Sequence, residues 1–275
     1  MIALAIVVFA FAFIFLLSNI FITTTQITVK SDSLPKEFEG YKILHLSDLH
    51  LKNFGHNYKR LLDKIKPLEF DIVVFTGDLI SRHEHDISEK IFFMKELIKK
   101  APVYFIYGNH EVENPLTTDK MCKELVKIGV NILDNKTYQV EKGGEKVDIC
   151  GITIEKKFYK NKDKTYKDLP TPNAEYINER LGKKKNFTLF LSHTPFYFDE
   201  YAKWGADLTL CGHVHGGAIR LPFINGLLSP ERKFFPKYSA GLYKKGDCQM
   251  YVSRGLGKPR IFNNSQITII TLDKW

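Results

Sequence analysis

Five short apolar runs, each ending in a cluster of Asp, His, Asn or Gly, constrain this 275-residue chain more than any other feature. Ile43–Leu46 leads through Ser47 into Asp48-Leu49-His50, and Ile72–Phe75 leads through Thr76 into Gly77-Asp78. Val103–Tyr107 leads into Gly108-Asn109-His110-Glu111, and Phe187–Leu191 leads through Ser192 into His193. Asp207–Leu210 leads through Cys211 into Gly212-His213-Val214-His215-Gly216-Gly217. Apolar runs of this length without alternation read as strands covered on both faces. Between the early ones, Asn57–Leu68, Ile87–Lys99 and Lys120–Ile128 carry helical spacing. Strand–helix alternation predicts an α/β domain, in which the carboxyl ends of the strands share one edge where ligand sites form. Further strands are expected at Ile27–Val29, at a hairpin of Tyr138–Val140 and Val147–Ile154 turning at Gly143-Gly144, and at Gln249–Val252 and Gln266–Leu272. No internal repeat or Pro/Gly/Ser linker divides the body, so residues 25–275 are expected to form one domain.

Residues 1–24 are different. Ile2–Leu17 is unbroken apolar sequence, and after Ser18-Asn19 it resumes at Ile20-Phe21-Ile22. About 20 apolar residues cross the hydrocarbon core as a helix, so the segment is expected to be a single-pass N-terminal membrane anchor. A cleavable signal peptide fits less well, because no basic residue precedes the run and no small-x-small site follows it. Lys30, Lys36 and Lys42 follow it, which places the body on the cytoplasmic side of a cell membrane. The four cysteines are far apart and lack CxxC spacing, as expected of scattered thiols.

The inventory at the strand ends suits a two-metal centre. Carboxylate, imidazole and amide oxygen together favour Mn, Fe, Zn or a similar ion over calcium or a thiolate site. Two such ions clamp a phosphoryl group and lower the pKa of a bound water. The i, i+2 spacing of Asp48 with His50 and of His213 with His215 would aim each pair the same way on an extended chain. Each motif alone also reads as an ordinary turn; five in order, each behind a buried strand, do not.

The series Asp-x-His, Gly-Asp, Gly-Asn-His-Glu, His, Gly-His-x-His resembles the calcineurin-like metallophosphoesterase superfamily. With the N-terminal apolar run, Gly241-Leu242-Tyr243 and Val252–Gly257, it is most similar to the bacterial membrane-associated branch. The resemblance implies two facing mixed β-sheets flanked by helices. It implies that Asp48, His50 and His215 hold one metal, Asp78 bridges, and Asn109, His193 and His213 complete the other site. His110 would donate a proton to the leaving oxygen or stabilise charge on the phosphoryl group, with Glu111 orienting it. Attack would come from a metal-bound hydroxide without a covalent intermediate. Two departures stand out: no arginine precedes Arg60, so a twin-arginine signal is absent, and Ile261–Gln266 replaces an expected proline-containing segment.

The expected function is that of a membrane-anchored metal-dependent phosphoesterase acting on a phosphodiester or pyrophosphate. A lipid-linked substrate such as UDP-2,3-diacylglucosamine, the substrate of one relative, is the named candidate. Soluble phosphodiesters and a catalytically silent membrane scaffold are the alternatives. Nucleic acid is not expected as a partner: net charge is +9, but no nucleic-acid-binding motif is present. His83-Glu84-His85 reads as a solvated loop and His45 as structural. Lys156–Lys167, basic with interleaved aromatics, reads as an exposed loop or a patch for anionic lipid. Arg220 reads as a substrate contact or a surface residue, and Leu221–Leu228 as sheet core or a path for acyl chains.

Overall fold

The computed structural model describes residues 1–161, 163, 165–166, 168–217, 220–221, 224–227, 234–257 and 263–275, without the side chains of 2–5, 7, 10–11, 221 and 224–225. In chain order the first elements are α1 (Ile2–Ile20), β1 (Ile22–Lys30), β2 (Lys42–Leu46), α2 (Lys59–Ile65), β3 (Ile72–Thr76), α3 (Ser88–Ile98) and β4 (Val103–Ile106). Then come α4 (Asn109–Glu113), α5 (Pro115–Lys127), β5 (Asn131–Ile132), β6 (Lys136–Lys142), β7 (Glu145–Ile152), α6 (Ala174–Leu181), β8 (Phe187–Ser192) and α7 (Phe198–Trp204). The last are β9 (Leu208–Cys211), β10 (Arg220–Leu221), β11 (Ile224–Gly226), β12 (Gly241–Lys245), β13 (Cys248–Val252) and β14 (Ser265–Asp273).

The strands build two six-stranded sheets, ordered β1-β14-β2-β3-β4-β5 and β12-β13-β9-β8-β7-β6, beside a two-stranded β10-β11 ribbon. Both large sheets are mixed. β2, β3, β4 and β5 run parallel with β14 antiparallel to β2, while β7, β8, β9 and β13 run parallel between antiparallel β6 and β12.

Side-chain alternation explains why the strands read as solid apolar runs. In β3, Ile72 and Val74 face the other sheet, where Leu189, Leu191, Leu208 and Leu210 meet them. Val73 and Phe75 face outward onto Leu61, Phe93, Leu97 and Met121 of α2, α3 and α5. On the far sheet, Phe190 and Met250 pack under Ile177 and Tyr201 of α6 and α7. Helices therefore cover both outer faces, and every strand position in β3 and β8 is buried.

The expected strands, hairpin and sandwich are all present; α4, α6 and α7 are helices that the apolar pattern did not give. α5 begins at Pro115, ahead of the expected Lys120, because proline at the first helical position starts the turn without losing a needed N–H.

The segment expected to span a membrane folds as helix α1, but among the described residues no helix is long and apolar enough to cross one. Nineteen residues at 1.5 Å each reach only about 28 Å, and the last turn holds Ser18 and Asn19. β1 starts at Ile22, so its first three residues fall before the expected boundary at residue 25 and already pair with Ser265–Ile267 of β14.

Candidate metal centre

The carboxyl ends of β2, β3 and β4 in one sheet and of β8 and β9 in the other open onto one rim, where the five polar clusters meet. The chain there is not extended, as the i, i+2 argument assumed. Asp48, His50, Asp78, His213 and His215 all take positive φ, between 49° and 71°. Left-handed backbone costs a non-glycine residue roughly 1–2 kcal/mol, and such strain gathers at functional sites. Tight loops laced together hold it: Asp48 N–H donates to Gly77 O (3.0 Å) and His50 N–H to Asp78 O (3.1 Å).

Three groups of donor atoms result: Asp48 with His50 and His215, Asp78 with His193 and His213, and His50 with Asp78 and His110, which joins the other two. His193 Nε2 lies 3.3 Å from Asp78 Oδ2 and 3.1 Å from His213 Nδ1. His50 Nε2 lies 3.5 Å from Asp78 Oδ2, and His215 Nδ1 lies 3.8 Å from Asp48 Oδ1. Donors each about 2.0–2.1 Å from one ion stand about 3–4 Å apart, so the spacing suits a first-row metal. Asn109, the first residue of α4, is buried, and its Oδ1 has no hydrogen-bond partner among the described residues. A buried amide oxygen beside these clusters with nothing to accept is what a metal would satisfy. The residues present thus fit two divalent ions. His193 is aimed from behind: Nδ1–H donates to Thr76 O (2.7 Å), leaving Nε2 for the cluster.

Charge in this buried cluster is divided unevenly. Burial raises Asp78, but His193, His110 and His50 around it more than offset that and hold it well below the usual carboxylate range. Asp48 is pushed up by burial and by Asp78. Burial opposes a charge on His193, yet Asp78 and Asp48 lift it to about 9.

Glu111 does not orient His110, as expected from sequence. Its carboxylate accepts backbone N–H groups from Asp78 (2.8 Å), Gly108 (2.8 Å) and Ile80 (3.0 Å), clamping the Gly-Asp loop to the Gly-Asn-His loop. Burial and Asp78 raise it to about 7. His110 is fixed by Arg82 instead. The Arg82 backbone N–H meets His110 Nδ1 at 3.0 Å, and its guanidinium stands 3.1 Å from Nε2. Both ring nitrogens thus face Arg82 donors, and Nε2 lies 3.9 Å from Asp78 Oδ2.

Three supports escaped the sequence reading. Lys90, buried on α3, donates to His50 O and to Tyr58 Oη (2.6 Å) and pairs with Glu84 (3.3 Å). Asn263, in the segment Ile261–Gln266 that departs from the family pattern, donates to His215 O (2.6 Å) and Gly217 O (2.8 Å). Tyr159, in the basic segment read as an exposed loop or lipid patch, is buried with its ring 5.3 Å from that of His213. Lys and Asn at those spacings carry no signal of their own; only the aromatic pair Phe158-Tyr159 hinted at burial.

Residues 162, 164 and 167 of the basic segment, 261–262 of the tail and most of Leu221–Leu228 lie outside the described residues or side chains. Arg220 opens β10. His45 is structural as expected, with Nε2 2.8 Å from Thr76 Oγ1 and burial lowering its pKa to about 3. His83 and His85 are exposed. All four cysteines are free thiols.

The family model described as calcineurin-like phosphoesterase matches residues 41–217, the span from β2 to the last histidine pair. The chain belongs to the calcineurin-like phosphoesterase family. It is a metal-dependent phosphoesterase, and this family works with two divalent ions. Among its calcineurin-like relatives, the metallophosphoesterase YkuE of Bacillus subtilis is 30% identical over 264 residues, covering 91% of this chain and 85% of YkuE. The phosphodiesterase YaeI of Escherichia coli is 26% identical over 79% of this chain and 75% of YaeI. The UDP-2,3-diacylglucosamine pyrophosphatase LpxG of Chlamydia trachomatis is 26% identical over 84% of this chain and 83% of LpxG.

Proposed function

We propose that this chain hydrolyses a phosphodiester or pyrophosphate at a membrane surface. Asp48, His50 and His215 hold one divalent ion, Asp78 bridges, and Asn109, His193 and His213 complete the second site. The observation that carries this reading is the convergence of two carboxylates and five imidazoles, in three overlapping groups, at one sandwich edge. Bound divalent ions supply Lewis-acid polarisation and a water of lowered pKa. Mn, Fe and Zn all suit the donor set.

His110 supplies a hydrogen bond to negative charge on the phosphoryl or leaving oxygen, from a ring whose Nε2 stands 3.9 Å from Asp78 Oδ2. Losing one such donor costs about 10²–10³ in kcat. His110→Gln is therefore expected to slow p-nitrophenyl and alkyl diesters by similar factors. A loss confined to the alkyl leaving group, which needs a proton, would return His110 to the role of acid.

Membrane attachment by α1, with the catalytic body on the cytoplasmic side, is the second part of the proposal. Phe9 and Phe13 on α1 are exposed and stack on each other, an apolar surface that no other element covers among the described residues. Arg60 donates to Ile20 O and Lys52 to Asn19 Oδ1 (3.2 Å), so α1 ends beside the loop that follows His50. A site so placed faces substrates held in a bilayer, and the pyrophosphatase activity named for LpxG makes a nucleotide-linked lipid the leading candidate. The full chain is expected to float with lipid vesicles in a density gradient, and a chain beginning at Phe21, which keeps all of β1, to stay at the bottom. Equal behaviour of both would remove the anchor from the proposal.

A further inference from the structure

The loop after β7 and the turn after His193 enclose a cavity of about 220 Å³ on the His213 side of the metal centre. Its walls include Phe158, Tyr159, Tyr166, Phe196 and Tyr197, with Asp168 at the exposed rim. The Tyr159 and Phe196 rings stand 5.3 Å and 5.9 Å from that of His213, so cavity and metal cluster share a wall. Tyr197 Oη donates to Phe158 O, tying turn to loop, so the walls are held in place before any ligand arrives. Tyr159 is buried, and its hydroxyl has no hydrogen-bond partner among the described residues.

Size, wall chemistry and rim each restrict the occupant. The volume lies below the roughly 300–1,000 Å³ of pockets that hold drug-sized ligands, so a pair of acyl chains does not fit. One planar ring does. Aromatic walls stack on any flat π-face. A phenyl ring would gain nothing from the Asp168 carboxylate at the rim, whereas a nucleobase and its sugar carry donors for it.

We propose that this cavity is the subsite for a nucleoside carried on the scissile phosphoryl group, with Phe196 and Tyr159 as the stacking surfaces. The proposal rests on the reading of the adjoining centre as hydrolytic. In a nucleotide-linked lipid the nucleoside would occupy the cavity and the acyl chains would lie elsewhere, toward the end of α1.

The test compares two esters that release the same p-nitrophenolate, thymidine 5′-(p-nitrophenyl phosphate) and methyl p-nitrophenyl phosphate, on the full chain with Mn²⁺. Stacking of one base predicts about a 10–100-fold preference in kcat/KM for the thymidine ester. Phe196→Ala is expected to bring that ratio close to one through KM. Tyr159→Phe, which keeps the ring, is expected to leave most of it. A wild-type ratio near one, or a ratio that Phe196→Ala leaves unchanged, overturns the proposal. If neither ester turns over, the hydrolytic reading fails instead, and equilibrium binding of thymidine 5′-monophosphate decides the cavity. Binding at least about 10-fold weaker in Phe196→Ala supports it, and equal binding overturns it.

Discussion

Asp78→Asn is expected to abolish metal-dependent diester hydrolysis, by a factor of about 10³ or more, while leaving the fold in place. The amide retains Oδ1 as acceptor for the His110 backbone N–H, now bonded at 2.9 Å, so the backbone contact between the two loops remains. It removes the one carboxylate that stands within 3.3–3.5 Å of both His193 and His50. A ligand present at 100 times its dissociation constant stabilises a protein by about 2.7 kcal/mol. In a domain of this size that is a rise in Tm of about 5–10 °C. The wild type should show that rise on adding Mn²⁺, and Asp78→Asn should lose most of it. A variant that still gains the full increment and still hydrolyses diesters would mean that Asp78 does not bridge the ions.

Gly108→Ala is expected to cut activity at least about 100-fold and to destabilise the protein by about 1–3 kcal/mol, the usual cost of overpacking. Gly108 has φ −93°, which any residue adopts, so its backbone shape does not demand glycine. The demand is spatial. A Cβ there would press on Asp78 Oδ1 and stand 2.5 Å from Asp78 N, a backbone atom that cannot rotate away. The same loop carries Asn109 and His110, so any retreat displaces both from the cluster. Gly144 makes the opposite control: φ is +83° and nothing lies within 4 Å of its Cβ position. Gly144→Ala should lower Tm modestly through backbone strain and leave turnover alone. Thermal melts and diester assays on the two variants separate these causes. A Gly108→Ala protein with near wild-type turnover would show that the two loops have slack.

Much of the sandwich was legible because burial on both faces leaves a plain mark, a mainly apolar run without polar alternation to solvent, and β2, β3, β4, β8 and β9 all carry one. α6 and α7 were missed because short helices with one buried stripe leave only a residue or two in register: Ile177 on α6, Phe198 and Tyr201 on α7. α4 was missed for another reason. Its sequence, Asn-His-Glu-Val-Glu, reads as chemistry rather than periodicity, and it is helical because Glu111 reaches back to the Gly108 N–H.

The sequence by itself determined the strand order of the chemistry: which residue types stand at the end of which buried strand, and hence that Asp, His and Asn gather on one rim. Local pattern suffices there, since a strand's burial and its terminal residues are neighbours in the chain. The tertiary structure alone decided how those residues are held. Asp48 and His50 converge through left-handed turns rather than strand alternation. His110 is held by Arg82, 28 positions away, and Lys90 supports His50 across 40 positions. Tyr159 stands against His213, and Asn263 ties down His215 across 48 positions. Contacts at such separations are set by how sheets and loops pack in three dimensions, and a hydrogen bond to a backbone atom leaves no trace in its partner's side chain.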